Sequence, residues 1–304
     1  MLDWTNPRKV GDDYYFTFKY QKKDGKKISP LSALEAAQYT IEHIVKNYPA
    51  PYTLYLSGGV DSQAMLYAWH KSGVPFKTFS AIYNESLNDY DIINLKEFSE
   101  HHNISIDYRD FDLISFLENE HDYYANEYRC GSPQITTFMK LADLTTEGTV
   151  IFSGQYIMYQ KNNGNLGIPD KNNFGLYYYG IKSNKNIVPF FFLETCELAY
   201  AFDVMLPEIQ QFHTSGSYMD KVKAFQLNGF PVIEQEKEKG FNGFEKIKTL
   251  YDTNPPRQPT IQEKISRIQS QTSNRNFDLL YRNKYEARFI KYKYVTSSSY
   301  HVMI

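Results

Sequence analysis

Tyr14, Phe16, Phe18 and Tyr20 fall on every second position, the period of a half-buried strand. Asp24-Gly25 supplies a hairpin turn within the same run, 12–29. The period then changes. Ser32 and Glu35 form a capping-box pair ahead of helical spacing through Ile41, Ile44 and Val45, and this helix ends before Pro49. From residue 52 onward, strand-like and helix-like stretches take turns. Strands are predicted at 52–57, 76–83, 104–111 and 149–153, and helices at 63–72, 89–102, within 112–126 and at 134–146. Alternation at this spacing predicts an α/β fold with a parallel sheet and right-handed crossovers. Ligands of such sheets bind at the carboxyl ends of the strands, near the topological switch. Residues 57–62, 81–85, 111–112 and 153–156 are thereby placed around one cleft.

Beyond residue 156 the pattern weakens. The stretch 160–187 is rich in Asn, Gly and Lys and reads as a long loop or a hairpin excursion. Residues 189–207 read as helical and apolar at their start, 219–247 is mixed, and 234–239 alternates charge. Prolines 255, 256 and 259 mark a break, after which Thr260 and Glu263 cap a further helix. The expected organisation is a hairpin and helix over 1–50, an α/β domain over 51–207, and a mainly helical region over 208–304.

The string Ser57-Gly58-Gly59-Val60-Asp61-Ser62 follows the 52–56 strand and opens a helix that Gly73 is placed to end. Two glycines let the backbone turn sharply and approach a ligand closely. The first turn of the helix aims backbone N–H groups and a partial positive charge at whatever lies above them, which suits an anion. Ser57 and Ser62 add hydroxyls, and Asp61 adds a carboxylate able to hold a divalent metal. Two glycines alone would mark an ordinary strand-to-helix connection, but the full string is far more specific. No Lys stands at Walker A spacing and the third glycine of a dinucleotide fingerprint is absent.

Composition narrows the rest. With 304 residues, the chain can bury a sizeable core. Its 33 basic and 35 acidic residues give no global pull toward nucleic acid or membrane. Cys130 and Cys196 lie far apart, which excludes a disulfide framework or a cysteine-based zinc site. No apolar run reaches membrane-spanning length, and the first residues do not read as a signal peptide, so a cytoplasmic location is expected. His101-His102 has no Cys or carboxylate beside it at metal-ligand spacing.

The six-residue string and its strand–loop–helix context resemble the phosphate loop of the PP-loop ATP pyrophosphatase superfamily. The resemblance implies a doubly wound, mostly parallel five-stranded, Rossmann-like sheet with an N-terminal hairpin and helix and a C-terminal helical extension. It also implies cleavage of ATP between its α and β phosphates, with Mg2+ as companion ion. Ser57, Gly58, Gly59, Val60, Asp61 and Ser62 would then hold the phosphates and Asp61 the magnesium. Ala81, Ile82 and Tyr83, at the end of the second strand, would meet adenine. Arg129 would neutralise phosphate charge, with Ser132 beside it, although Ser132 equally suits a helix cap. Cys130 could carry sulfur as some RNA-thiolating members do, but a lone cysteine is more often a packed apolar residue.

Within the superfamily the chain looks most similar to the synthetase half of asparagine synthetase and its stand-alone relatives. Ser153-Gly154 at the end of the fourth strand carries this, with Gly229-Phe230-Pro231 followed by Lys237, Lys239 and Gly240-Phe241. One of the two lysines would reach the pyrophosphate; surface lysines in a charged run are otherwise solvated. Three departures stand out: the glutaminase half is missing, with Leu2 where its nucleophilic Cys would be. Gln155 and Tyr156 replace a second acidic metal ligand, and no catalytic Glu can be assigned. A small-molecule acceptor and a separate glutaminase or ammonia source are the implied partners.

RNA is the rival partner. Residues 257–293 hold nine basic and three acidic side chains, with Tyr281, Tyr285, Phe289 and Tyr292 interleaved among Arg282, Lys284, Arg288 and Lys291. That composition suits phosphate contact with base stacking, or an amphipathic helix that docks its aromatic face. A nucleotide-binding module without catalysis is the third reading.

Overall fold

The computed structural model describes residues 8–10, 13–15, 17–19, 31–128, 130, 133–154, 159–160, 166–167, 173–195, 197–198, 201, 218–233, 293–295 and 301–303. Strands β1 (Arg8–Val10) and β2 (Asp13–Tyr15) pair antiparallel. They form a hairpin ahead of Asp24-Gly25, which lies outside the described residues. Helix α1 (Ala33–Asn47) starts as the capping box demands. Glu35 N–H donates to Ser32 Oγ at 3.3 Å, and Ser32 N–H donates to Glu35 Oε2 at 2.8 Å. Ala33, Ala36, Ala37, Ile41 and Ile44 form its buried stripe.

The strand β4 (Tyr52–Tyr55) shows how the sheet is built. Its side chains alternate, so Tyr52 and Leu54 face one layer while Tyr55 faces the other. The first layer holds α1, α2 (Val60–Ser72) and α3 (Asp89–His101), centred on Trp69, Leu95 and Phe98. The second holds α4 (Leu113–Asn119), α5 (His121–Glu127), α6 (Pro133–Asp143) and α7 (Asn173–Ser183), with Phe116, Met139 and Tyr179 buried against Tyr55 and Phe152. Each face of the sheet therefore has its own core, the mark of a doubly wound fold.

The sheet also contains β5 (Lys77–Tyr83), β6 (Tyr108–Phe111), β7 (Thr149–Phe152) and β10 (Ile187–Val188). All of its pairings are parallel, in the order β10-β7-β4-β5-β6. The chain runs outward from β4 through β5 to β6, then returns to the far side of β4 to add β7 and β10. The strand order reverses between β4 and β7, which places the switch point at their carboxyl ends.

Several expectations shift. The 160–187 stretch holds α7, along with the hairpin of β8 (Tyr159–Gln160) and β9 (Leu166–Gly167) near its start. Leu176, Tyr178 and Tyr179 are buried, so packing overrides the poor helix propensity of a Gly- and Tyr-rich run. The fifth strand, β10, was not placed by the sequence pattern. In the C-terminal region, α8 (Tyr218–Leu227) is helical, but β11 (Lys293–Val295) and β12 (His301–Met303) are strands. They join β3 (Thr17–Lys19) in a three-stranded antiparallel sheet that ties one end of the chain to the other.

A buried polar cluster lies beside α1. Glu194 is 3% exposed, accepts from the Tyr48 hydroxyl at 2.9 Å and lies 3.8 Å from His43 Nε2. Burial raises its carboxyl to about 8, against a weaker opposing pull from the Tyr48 hydrogen bond. The neighbouring Thr195 and Thr40 hydroxyls meet at 2.6 Å.

Candidate active site

Loop 57–59 leaves the central strand and enters α2 at its first residue, Val60. Gly58 adopts φ +91°, and a Cβ there would lie 2.0 Å from the Asp91 carbonyl oxygen in the first turn of α3. This position needs glycine twice over, for its backbone angle and for the main chain packed against it. Gly59 differs: it has φ −68° and serves as N-cap of α2, where it offers no side chain to the first-turn N–H groups. Those donors belong to a helix start without a side-chain cap, the arrangement that favours an anion.

Ser62 braces the loop from inside. Fully buried, it accepts from Gly58 N–H at 3.0 Å and donates to Gly59 C=O at 2.8 Å. Its hydroxyl, and the N–H of Gly58, therefore already serve the loop's own shape. Ser57 is exposed, while Gly59 and Asp61 are half-buried, so the outer side of the bend is open to solvent. Asp61 sits in the first turn of α2.

The neighbouring turn after β5 is closed by a residue that sequence reading missed. Asn88 is buried, donates through Nδ2 to Ala81 C=O at 2.8 Å and accepts from Tyr83 N–H at 2.8 Å through Oδ1. Lower down, β5 pairs with β4, and just past β4 Leu56 N–H reaches Phe79 C=O at 2.9 Å. Where β4 ends, the Asn88 side chain takes over the role of a neighbouring strand. Ala81 C=O and Tyr83 N–H, in the segment expected to meet adenine, are thus engaged within the protein. Ala81 and Tyr83 are buried, and Ile82 is half-exposed. Burial first, then the nearby Asp91 carboxylate, raises the Tyr83 phenol and keeps it protonated.

Glu85 and Ser86, just beyond, hold left-handed backbone angles of φ 57° and 56°, an uncommon choice for residues with side chains. Asn84 Nδ2 donates to Asp112 Oδ1 at 2.7 Å, tying the ends of β5 and β6 together. Asp112 also caps α4 by accepting from Ser115 N–H at 2.9 Å.

On the other flank, Ser153 and Gly154 leave β7 beside the loop, one step past the Tyr55↔Phe152 pair. A Cβ on Gly154 would lie 2.5 Å from the Phe190 ring, so this glycine serves a tight exit from the strand. The structure thus brings Ser57–Ser62, Ala81–Tyr83 and Ser153-Gly154 to one end of the sheet. Cys130 is buried in the second core, which fits a packed apolar residue. Arg129, Ser132, Lys237 and Lys239 lie outside the described residues, as do Gln155 and Tyr156.

Among the described residues no group of three or more His, Cys, Asp or Glu could hold a metal ion. A single half-buried carboxylate, Asp61, fits an ion that arrives with phosphate oxygens and water as its other ligands. No helix among the described residues is long and apolar enough to cross a membrane.

No protein-family model matches the sequence, and no curated protein matches it significantly. Similar solved structures include an NH3-dependent NAD synthetase from Campylobacter jejuni, at 12% identity and TM-score 0.31, covering 79% of this chain and 93% of that one. The U34-tRNA thiolase NcsA from Methanococcus maripaludis, solved with its 4Fe-4S cluster, is 11% identical at TM-score 0.36, with 92% and 89% covered. An NMN synthetase from Francisella tularensis is 16% identical at TM-score 0.26, with 75% and 99% covered. At these values the likeness is distant.

Proposed function

We propose that this chain is an ATP pyrophosphatase of the PP-loop type that activates an acceptor by adenylation. One observation carries the reading. The Ser57–Ser62 loop, its outer side open to solvent, joins the central strand to a helix whose N-cap, Gly59, has no side chain, at the switch point of a doubly wound sheet.

The N–H groups at the start of α2 would hold the β and γ phosphates, with the exposed Ser57 hydroxyl beside them. Asp61 would hold magnesium, which when bound offsets the charge that builds on departing pyrophosphate. Ile82 would contribute apolar contact to adenine. A carboxylate oxygen of the acceptor attacks the α phosphorus, the bond to pyrophosphate breaks, and an acyl-adenylate forms; an amide-type carbonyl oxygen would give an imidoyl adenylate in the same way. Ammonia or another small amine then displaces AMP, giving an amide from the acyl-adenylate as in asparagine synthesis, or an amidine from the imidoyl adenylate. Arg129 and a lysine at 237 or 239 would neutralise phosphate charge. Ile233, anchored on α2, begins the run that carries both lysines.

The test is pyrophosphate release from ATP and magnesium in the presence of a metabolite extract, with mass-spectrometric trapping of the adenylate. Asp61→Ala should lower turnover by roughly 100-fold, the loss of one preorganised electrostatic group. Turnover within a few-fold of the parent would remove Asp61 from the mechanism. A melting shift with nucleotide but no pyrophosphate would identify a non-catalytic binding module instead. The basic, aromatic stretch 257–293 supports a second reading, tRNA modification of the thiolation type. RNA binding that weakens steeply with salt is its test.

A further inference from the structure

Gln63 follows the loop directly, on the first turn of α2, and its side chain is fully buried. Its amide is used in both directions. Nε2 donates to Gly58 C=O at 3.0 Å, and Oε1 accepts from Ile233 N–H at 2.9 Å. One partner is the kinked glycine of the phosphate loop. The other lies 170 residues away, in the segment that follows α8. An amide presents a donor and an acceptor on separate atoms at once, and the two partners fix which way round it sits.

The far segment is itself firmly seated. Phe230 and Val232 are buried, the Phe225 and Phe230 rings meet at 5.7 Å, and Gln226 Nε2 donates to Val232 C=O at 3.0 Å. A shift of residues 230–233 therefore reaches Gly58 through one rigid side chain. Any change in the loop reaches Ile233 by the same route.

We propose that Gln63 is a positioning residue that couples the seating of residues 230–233 to the shape of the phosphate loop. A triphosphate in the loop and a docked C-terminal segment then stabilise each other. This inference rests on the ATP reading above. Coupling of this kind is reciprocal, so it can be measured from either end.

From the loop end, hydrogen exchange of the full chain would be followed over 225–233 with and without ATP and magnesium. Exchange there should slow by about fivefold or more on nucleotide binding, within the usual range of coupling between sites. Gln63→Met should still bind nucleotide while losing that slowing. From the far end, Ile233→Pro removes the N–H that Oε1 accepts and leaves the loop sequence untouched. Its affinity for ATP should fall by about five- to tenfold, the worth of one buried hydrogen bond.

Nucleotide binding, read from a melting shift, without any change at 225–233 overturns the coupling and leaves the ATP reading standing. So does an Ile233→Pro protein that binds ATP as the parent does. A Gln63→Met protein that is less stable but keeps the nucleotide-dependent slowing shows a merely structural role, and also overturns it. Absence of any nucleotide binding by the parent overturns both.

Discussion

The turns after β4 and β5 hold equivalent places in the fold, each carrying a strand into a helix at the same end of the sheet, yet they are built oppositely. The first is shaped by a buried hydroxyl, Ser62, that works from beneath, and its N-cap Gly59 puts nothing over the helix start. The second spends a buried side chain, Asn88, on its own main chain, so that Ala81 C=O and Tyr83 N–H are both engaged. One turn is braced from beneath and leaves its outer side open, and the other closes on itself. Under the proposed function, the difference separates the turn that would receive the phosphates from a wall that stays rigid beside it.

The largest expected effect is at Gly58. Alanine there must adopt a positive φ and push back the Asp91 carbonyl, so Gly58→Ala should cost about 4 kcal/mol or more in denaturant unfolding. A cost below about 1 kcal/mol would mean that the loop is not held against α3. Next comes Asn88→Ala, which orphans a buried C=O and N–H. It should cost about 2–4 kcal/mol and weaken nucleotide binding only as far as the wall moves. If binding is lost and stability kept, Asn88 belongs to the receiving surface and the contrast breaks. Ser62→Ala should cost about 1–2 kcal/mol, with nucleotide affinity falling alongside as the loop loses its brace. Smallest is Gly59→Ala, with φ −68° and its nearest contact at 3.6 Å, which should cost about 1 kcal/mol or less by thermal melting.

Much of the framework was legible because it is encoded locally. Ser32 and Glu35 announce the start of α1, Gly73 ends α2 in the left-handed conformation, and strand–helix alternation gives the parallel sheet. What escaped depends on distant partners. Ile187–Val188 is too short to show a period and becomes a strand only through its pairing with β7. Helix α7 runs against its own propensity, since Leu176 and Tyr179 gain more by burial in the second core than the glycines lose. Asn88 stands at the N-cap of α3, yet its amide makes no cap hydrogen bond and turns back to the strand instead. Gln63 reads as a polar residue on a helix and reveals its use only once Ile233 has folded against it.

The acid held inside the protein at Glu194 has a bearing on how this chain behaves in solution. Its carboxyl keeps a proton in the folded state up to about 8, whereas the unfolded chain gives it up near 4.5. Between those values the folded form binds more protons, so raising the pH through that window steadily erodes stability. Denaturant unfolding should show this contribution lost between about pH 5 and pH 8, and Glu194→Gln should remove that part of the pH dependence.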